Sequence, residues 1–339
     1  MHPSLGFILS LAVAAVATPS HPERRTARHS SPDGCLTVGK GGKFHKVQDA
    51  VDALDKSNPK SQCIYIAKGK YQEQVTIEKI ASPLIIYGET SDTSDYNSNA
   101  VTITQGRSQD NFKNENDKTA TLRAHTPNLK VYNINLVNTR GAGSQALAVS
   151  ASGDKQAYYA CQLIGYQDTV LAQTGKQLYA KCYIEGATDF IFGEEAFALF
   201  HGCTIGVLPK EKGKGHITAN GADDESNKSI FVIENSSIAA ARDKSVKDGS
   251  YTLGRPWGHH ARTVFQNCDL SAVINEVGWS TWNDNDPRND YAFFGEYGNT
   301  GKGALGKRPK WVKQLKKPIA ITEVLDKDYK SWTDASYLG

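Results

Sequence analysis

Residues 161–205 read CQLIGYQDTVLAQTGKQLYAKCYIEGATDFIFGEEAFALFHGCTI. One three-residue pattern recurs in them every 21 residues: Cys161-Gln162-Leu163, Cys182-Tyr183-Ile184 and Cys203-Thr204-Ile205. Each has a small or apolar residue, a polar one and an aliphatic one, the alternation of a short strand with one buried face. The pattern continues outward to Ile134-Asn135-Leu136 on one side, and to Ser236-Ser237-Ile238 and Cys268-Asp269-Leu270 on the other. Its first members lie 27, 21, 21, 33 and 32 residues apart. Recurrence at roughly 20–50 residues marks a solenoid, in which each coil buries its apolar face only against neighbouring coils.

Upstream, short β-rich runs (residues 63–66, 75–77, 84–87, 101–103 and 131–137) are separated by Gly, Asn, Asp and Ser. Helical spacing is clear only at Val47, Ala50, Val51 and Leu54. The expected fold is therefore all-β, a right-handed parallel β-helix with a short N-terminal capping helix. A leucine-rich repeat would need a Leu/Asn signature that is absent. A β-sandwich, which also yields short strands and turns, is the alternative.

The register has a chemical consequence. Asp168 lies seven residues after Cys161, and Asp189 seven after Cys182. If the two cysteines stack in adjacent coils, so do the aspartates, at the ~4.7–4.9 Å spacing of paired strands. Two carboxylates that close resist ionising together, which allows one to act as nucleophile and the other to hold a proton as general acid. Taken singly, each is better read as an ordinary turn residue.

Composition narrows the classes. The chain has 339 residues, 39% of them apolar, with 30 Gly and 15 Tyr, a poor composition for a helix bundle. Its mean hydropathy of −0.48 excludes a multi-span membrane protein. Thirty-nine basic residues against 36 acidic ones leave a net charge of +3, and nothing there requires nucleic acid.

Leu5–Ala17 is an apolar run ending in Ala15-Val16-Ala17, too short to span a bilayer and shaped like a signal peptide (residues 1–17) with its cleavage site. A short buried helix is the other reading. Residues 18–34 are polar and contain Arg24-Arg25, as in a flexible leader trimmed at a dibasic pair. Residues 35–339 then form a single domain, and the product is expected outside the cell. Six cysteines, Cys35, Cys63, Cys161, Cys182, Cys203 and Cys268, are compatible with disulfides there and lack zinc spacing. Asn227-Lys228-Ser229 and Asn235-Ser236-Ser237 are glycosylation sequons.

Five segments in order carry a family resemblance: Gly69-Lys70-Tyr71-Gln72-Glu73, Gln145 to Val149 (QALAV), Gln167-Asp168-Thr169-Val170, Asp189 to Gly193 (DFIFG) and Leu253-Gly254-Arg255-Pro256-Trp257. With Gly295 to Gly301 (GEYGNTG) they resemble the signature of the pectin methylesterases over about Leu36 to the C-terminus. The resemblance implies a secreted microbial or fungal form without a plant-type inhibitor pro-region. It implies hydrolysis of galacturonate methyl esters in pectin to pectate and methanol. It further implies Asp189 as nucleophile, Asp168 as general acid then base, Gln145 and Gln167 as oxyanion donors, Arg255 as the partner of Asp189, and Trp257 as a sugar-stacking face. No cofactor, metal, nucleic acid or membrane is implied, and a monomer is expected.

Each residue has a plainer reading. Gln145 could ladder with neighbouring coils, and Arg255 could be a surface ion-pair partner. Gln167 adjoins Asp168, so in a strictly extended segment the two would face opposite sides; both serve only if the chain turns there. Tyr71, Phe190, Phe192, Trp279 and Trp282 are expected in the core. Asp284 to Asp290 lacks the Gly and Glu of a calcium loop and reads as solvated. The cluster Lys307-Arg308, Lys310, Lys313 and Lys316-Lys317 reads as a solvated face. The competing functions are a glycosidase using the two carboxylates, a calcium-dependent lyase, and a non-catalytic carbohydrate-binding β-helix.

Overall fold

A computed structural model of the chain describes residues 26–210 and 212–339; the segment 1–17, read above as a signal peptide, lies outside them. The strands form a right-handed parallel β-helix with three columns. The first column stacks Gly69–Gln72, Val101–Gln105, Asn135–Asn138, Gln162–Ile164, Tyr183–Gly186, Thr204–Val207, Ser237–Ala240 and Asp269–Leu270. Its register pairs Gln162 with Asn135 and Tyr183, Tyr183 with Thr204, Thr204 with Ser237, and Ser237 with Asp269. This is the alignment read from the sequence.

Val170–Ala180 serves two columns without a break. Its start pairs with Val149–Ser152 and Thr188–Gly193, and its remainder with Gln156–Tyr159 and Glu195–His201.

The strand register, kept although coil length varies, returns like residues to the same interior position. Leu136, Leu163, Ile184, Ile205, Ile238 and Leu270 form a fully buried row. Tyr158, Tyr179 and Phe200 stack face to face with ring centroids 4.9 and 4.5 Å apart. Cys161, Cys182, Cys203 and Cys268 are buried free thiols. Cys182 and Cys203 donate S–H to the carbonyls of Tyr158 and Tyr179, each at 3.3 Å. Only Cys35 and Cys63 are bonded among the described residues. The repeated cysteine is a small core filler, not a cross-link.

The helix expected near Phe44 to Leu54 spans Val47–Asp52 and buries Val47, Ala50 and Val51. Its Lys46 N-cap gives no side-chain bond; Glu73 does that work from the neighbouring coil, accepting from Val47 N–H at 2.8 Å and Gln48 N–H at 3.0 Å. Tyr71 donates its hydroxyl to Ala67 O at 2.7 Å. The first signature segment thus builds the N-terminal end of the solenoid. Glu73→Ala is expected to cost about 0.5–2 kcal/mol, read as a lower urea midpoint at unchanged m-value.

Residues 26–34 belong to the leader expected from composition, yet Arg28 is docked. Its backbone exchanges hydrogen bonds with Thr90 (2.9 and 3.1 Å), and its guanidinium lies 4.6 Å from the Tyr87 ring centroid. With a second ring, Tyr132, at 5.7 Å and hydrogen bonds to Gly88 O and Asn133 Oδ1, these contacts outweigh a polar composition locally. At the other end, Val324, Leu325, Trp332 and Tyr337 cover outward-facing Tyr132 and Tyr159. The basic cluster is not uniformly solvated, because Arg308 forms a largely buried ion pair with Glu296 at 2.6 Å. Glu296 also accepts from Trp279 Nε1 at 2.9 Å, so the GEYGNTG segment is structural.

Candidate active site

Asp168 and Asp189 occupy the same corner of adjacent coils. Gln167 bridges Thr188, Asp168 N–H donates to Thr188 O at 3.0 Å, and Val170 pairs with Ile191. Both aspartates have left-handed backbones, φ 62° and 47°, a region that Asp tolerates better than most residues. This kink answers the question left by alternation: Gln167 and Asp168 line one cleft, because the chain turns between them. The two residues are only 8% and 7% exposed.

Arg255 arrives from two coils further on. Its N–H donates to Thr218 O at 3.0 Å. The preceding Gly254 lies so close to Thr218 that a Cβ would stand 2.0 Å from the threonine hydroxyl. The guanidinium then meets Asp189 as a fork, Nε to Oδ1 at 2.9 Å and Nη2 to Oδ2 at 2.6 Å. Its Nη1 donates to Trp282 O at 3.3 Å, and its face covers the Trp282 ring at 4.3 Å. Every edge of the fork is occupied, which orients Asp189 rigidly.

Among the described residues Asp168 has no such partner. Burial raises its pKa well above the usual carboxylate range, the neighbouring Asp189 raises it further, and Arg255 offsets only part. Burial and the neighbouring Asp189 thus favour the neutral form of Asp168, beside an aspartate that Arg255 holds by both oxygens. His216 offers no competing acid–base group: burial, then Arg255, Lys210 and Lys214, push its pKa down to about 3.

The cleft has a volume of about 490 Å³. Gln145 and Gln167 line it beside the aspartates, and Ala146 N–H donates to Gln167 O at 3.1 Å, which sets the two glutamines in adjacent coils. Neither side-chain amide is bonded among the described residues. Its apolar floor is Phe192 and Ala219, part of a cluster with Leu147 and Leu171 against which Trp257 packs. Trp257 and Phe192 lie 5.9 Å apart between centroids, tilted by 56°.

All six expected site residues, Gln145, Gln167, Asp168, Asp189, Arg255 and Trp257, meet in this cleft. Sequence reasoning missed Gln109, Asn114, Asn116, Phe192 and Trp282, which also line it. Tyr71, Phe190, Phe192 and Trp279 are buried as expected, although Phe192 also lines the cleft; Trp282 is not a core residue. Phe192 follows Leu171 by one 21-residue coil, a signal present in the register. Trp282 stands two residues before the loop read as solvated. That loop is braced by Arg288, which bonds Asp286 at 2.6 Å, donates to Trp257 O and lies over the Trp282 ring. Among the described residues no three His, Cys, Asp or Glu side chains gather as a metal site.

Fold and cleft together define a parallel β-helix protein whose outward polar groups converge on one carboxylate pair. A family model described as Pectinesterase matches residues 35–332. The chain is 46% identical over 314 residues to a pectinesterase of Aspergillus niger, covering 92% of this chain and 94% of that one. It is 45% identical to a pectinesterase of Aspergillus aculeatus with the same coverage. The crystal structure of the Aspergillus niger pectin methylesterase in penultimately deglycosylated form matches with a TM-score of 0.85 at 40% identity, over 92% of this chain and 100% of that one. The carrot pectin methylesterase matches with a TM-score of 0.80 at 29% identity, over 91% and 97%. The chain belongs to the pectinesterase family and is an enzyme of that family.

Proposed function

We propose that the enzyme hydrolyses galacturonate methyl esters of pectin with Asp189 as nucleophile and Asp168 as general acid and base. The observation that carries this reading is the asymmetric pair: Asp189 in the two-bond fork of Arg255 beside Asp168, whose pKa is driven up. The Asp189 carboxylate attacks the ester carbonyl carbon, and its electrons move onto the carbonyl oxygen. The free amides of Gln145 and Gln167 donate to that oxyanion, each such donor supplying typically ~2.7–4 kcal/mol. Collapse breaks the bond to methoxide, which takes the Asp168 proton and leaves as methanol. Asp168, now a carboxylate, removes a proton from water. The hydroxide attacks the galacturonyl carbon of the anhydride, releasing galacturonic acid and restoring both aspartates. The acid then ionises, so one proton is released per turnover.

The apolar floor and Trp257 suit the face of a sugar ring and an ester methyl. The order of tests is simple. Methanol release from highly methylated pectin, with chain length and unsaturated ends followed in the same sample, should give methanol at unchanged chain length. Chain cleavage without methanol would replace this reading with a glycosidase or a lyase.

Export through the segment 1–17 and a monomeric state belong to the same proposal. Of the two sequons, Asn235 is the one suited to carry a glycan: it is exposed, whereas the Asn227 amide donates to Glu194 O at 2.9 Å. Mass spectrometry of the secreted protein should find sugar at Asn235 and none at Asn227.

A further inference from the structure

Three residues of the cleft wall, Gln109, Asn114 and Asn116, stand on one loop. Gln109 donates its backbone N–H to Gln145 O at 3.0 Å and its side-chain amide to Asn116 Oδ1. Asn116 opens the short 3-10 helix Asn116–Thr119, and Thr119 Oγ1 accepts from Leu147 N–H at 3.3 Å. Residues 145–147 are therefore gripped at both ends by this one loop.

The loop is in turn anchored by charge. Asp117, next to Asn116, accepts at Oδ2 from Arg123 Nε at 2.9 Å and from Arg123 Nη2. Its Oδ1 lies 2.9 Å from His125 Nε2. The other ring nitrogen, His125 Nδ1, lies 3.3 Å from Glu78 Oε2. Both nitrogens thus face carboxylate oxygens, and only an imidazolium can donate to both. In a neutral ring one nitrogen would turn its lone pair on an anionic oxygen. Asp117, Glu78 and, through Asp117, Arg123 are the charged groups gathered around the ring among the described residues. The hydrogen bond to Asp117 raises the His125 pKa; burial opposes the rise, and the charges of Asp117 and Glu78 add to it.

We propose that His125 is a positioning residue for the ester reaction, bridging Glu78 to Asp117 and so fixing the loop that sets Gln145 beside the aspartates. The inference rests on the esterase reading above, in which Gln145 donates to the oxyanion. His125 touches no reacting atom; it acts through Asp117, Asn116 and Gln109. Deprotonation removes one of its two bridges, and the loop then holds the Gln145 carbonyl less firmly. An oxyanion donor contributes through being placed in advance, so its misplacement lowers turnover more than binding. The sign with pH follows from the raised folded pKa. The bridge is complete below the unfolded value and is lost as pH rises through the folded one.

The test is methanol release from methylated pectin by wild type, His125→Gln and Glu78→Gln between about pH 5 and about pH 9. Circular dichroism and the melting temperature establish that each variant is folded. Gln at 125 carries no charge and does not titrate in this range. The ratio of kcat in wild type to kcat in His125→Gln should be about ten at the acidic end and about one at the alkaline end, with KM within about twofold throughout. Asp168 titrates in both proteins, so its effect cancels in the ratio. In Glu78→Gln, kcat should decline at lower pH than in wild type, because one of the two carboxylates that favour the imidazolium is gone. A ratio constant with pH in folded His125→Gln would overturn the positioning role, and so would a decline at unchanged pH in Glu78→Gln. Should His125→Gln not fold, the displacement in Glu78→Gln decides. Wild type that releases no methanol removes the esterase reading and this role with it, whereas a constant ratio in active enzyme removes only the role.

Discussion

Asp189→Asn is expected to lower methanol release by roughly 10⁴-fold or more, the scale on which an enzyme loses turnover with its nucleophile. An amide has the shape of the carboxylate but neither its charge nor its nucleophilic lone pairs. The change also leaves the Arg255 guanidinium, bonded to both Asp189 oxygens, facing an amide that can accept only at its one oxygen. Some loss of stability should accompany the loss of rate, because half of a largely buried ion pair remains. The measurement is single- and multiple-turnover methanol release, with folding followed by circular dichroism. Turnover within tenfold of wild type would show that the ester is attacked by another group, with water activated by Asp168 as the first candidate. Arg255→Lys should fall between these limits, because one ammonium cannot hold both oxygens.

Asp168→Asn should move rate and stability in opposite directions. Loss of the general acid is expected to cost about 10²–10⁴-fold in kcat. Stability should rise at neutral pH by about 0.5–2 kcal/mol, the usual exchange when a strained functional group is replaced. The sign follows from linkage. Asp168 has a folded pKa above its unfolded value, from burial first and from Asp189 second. Below the unfolded pKa, near ~3.9, both states hold the proton, and the favourable contribution of the protonated carboxyl is fully present. As pH rises the unfolded chain releases its proton first, so stability falls until the folded pKa is passed. Wild type should therefore lose melting temperature relative to Asp168→Asn across that window, and its kcat should decline at the upper end as the acid form disappears. Parallel melting curves for the two proteins from pH 4 to pH 8 would contradict the burial argument.

Much of the solenoid was legible because it is periodic. A pattern repeating at 21 residues needs only the sequence to predict which residues stack, and Gln162, Tyr183 and Thr204 do pair. The same register brought Asp168 over Asp189. Alternation along a strand was less reliable at the corners. It set Gln167 and Asp168 on opposite sides, whereas a left-handed residue at 168 turns both into the cleft. Backbone conformation at a single Asp is settled by the hydrogen bonds of neighbouring coils, among them Asp168 N–H to Thr188 O, and these are not local information.

Composition misled at the edges for a similar reason. The leader looked polar, yet Arg28 docks on Tyr87. The loop at 284–290 is largely exposed as read, yet its Arg288 donates to Trp257 O, 31 residues away, and lies over Trp282 just ahead of the loop. Arg308, one basic residue among several, closes on buried Glu296. In each case a long cationic side chain finds a partner distant in sequence, and such pairings leave no periodic trace.

The amino-acid sequence alone determined the parallel β-helix, the stacking of its coils and the residue types at the carboxylate pair, because all three depend on residues recurring at coil spacing. The tertiary structure alone decided which way those residues face and how their charges divide. Arg255, 66 residues from Asp189, clamps one aspartate and leaves the other to burial. Side-chain direction and desolvation depend on everything folded around a group, and that is fixed only when all the coils are in place.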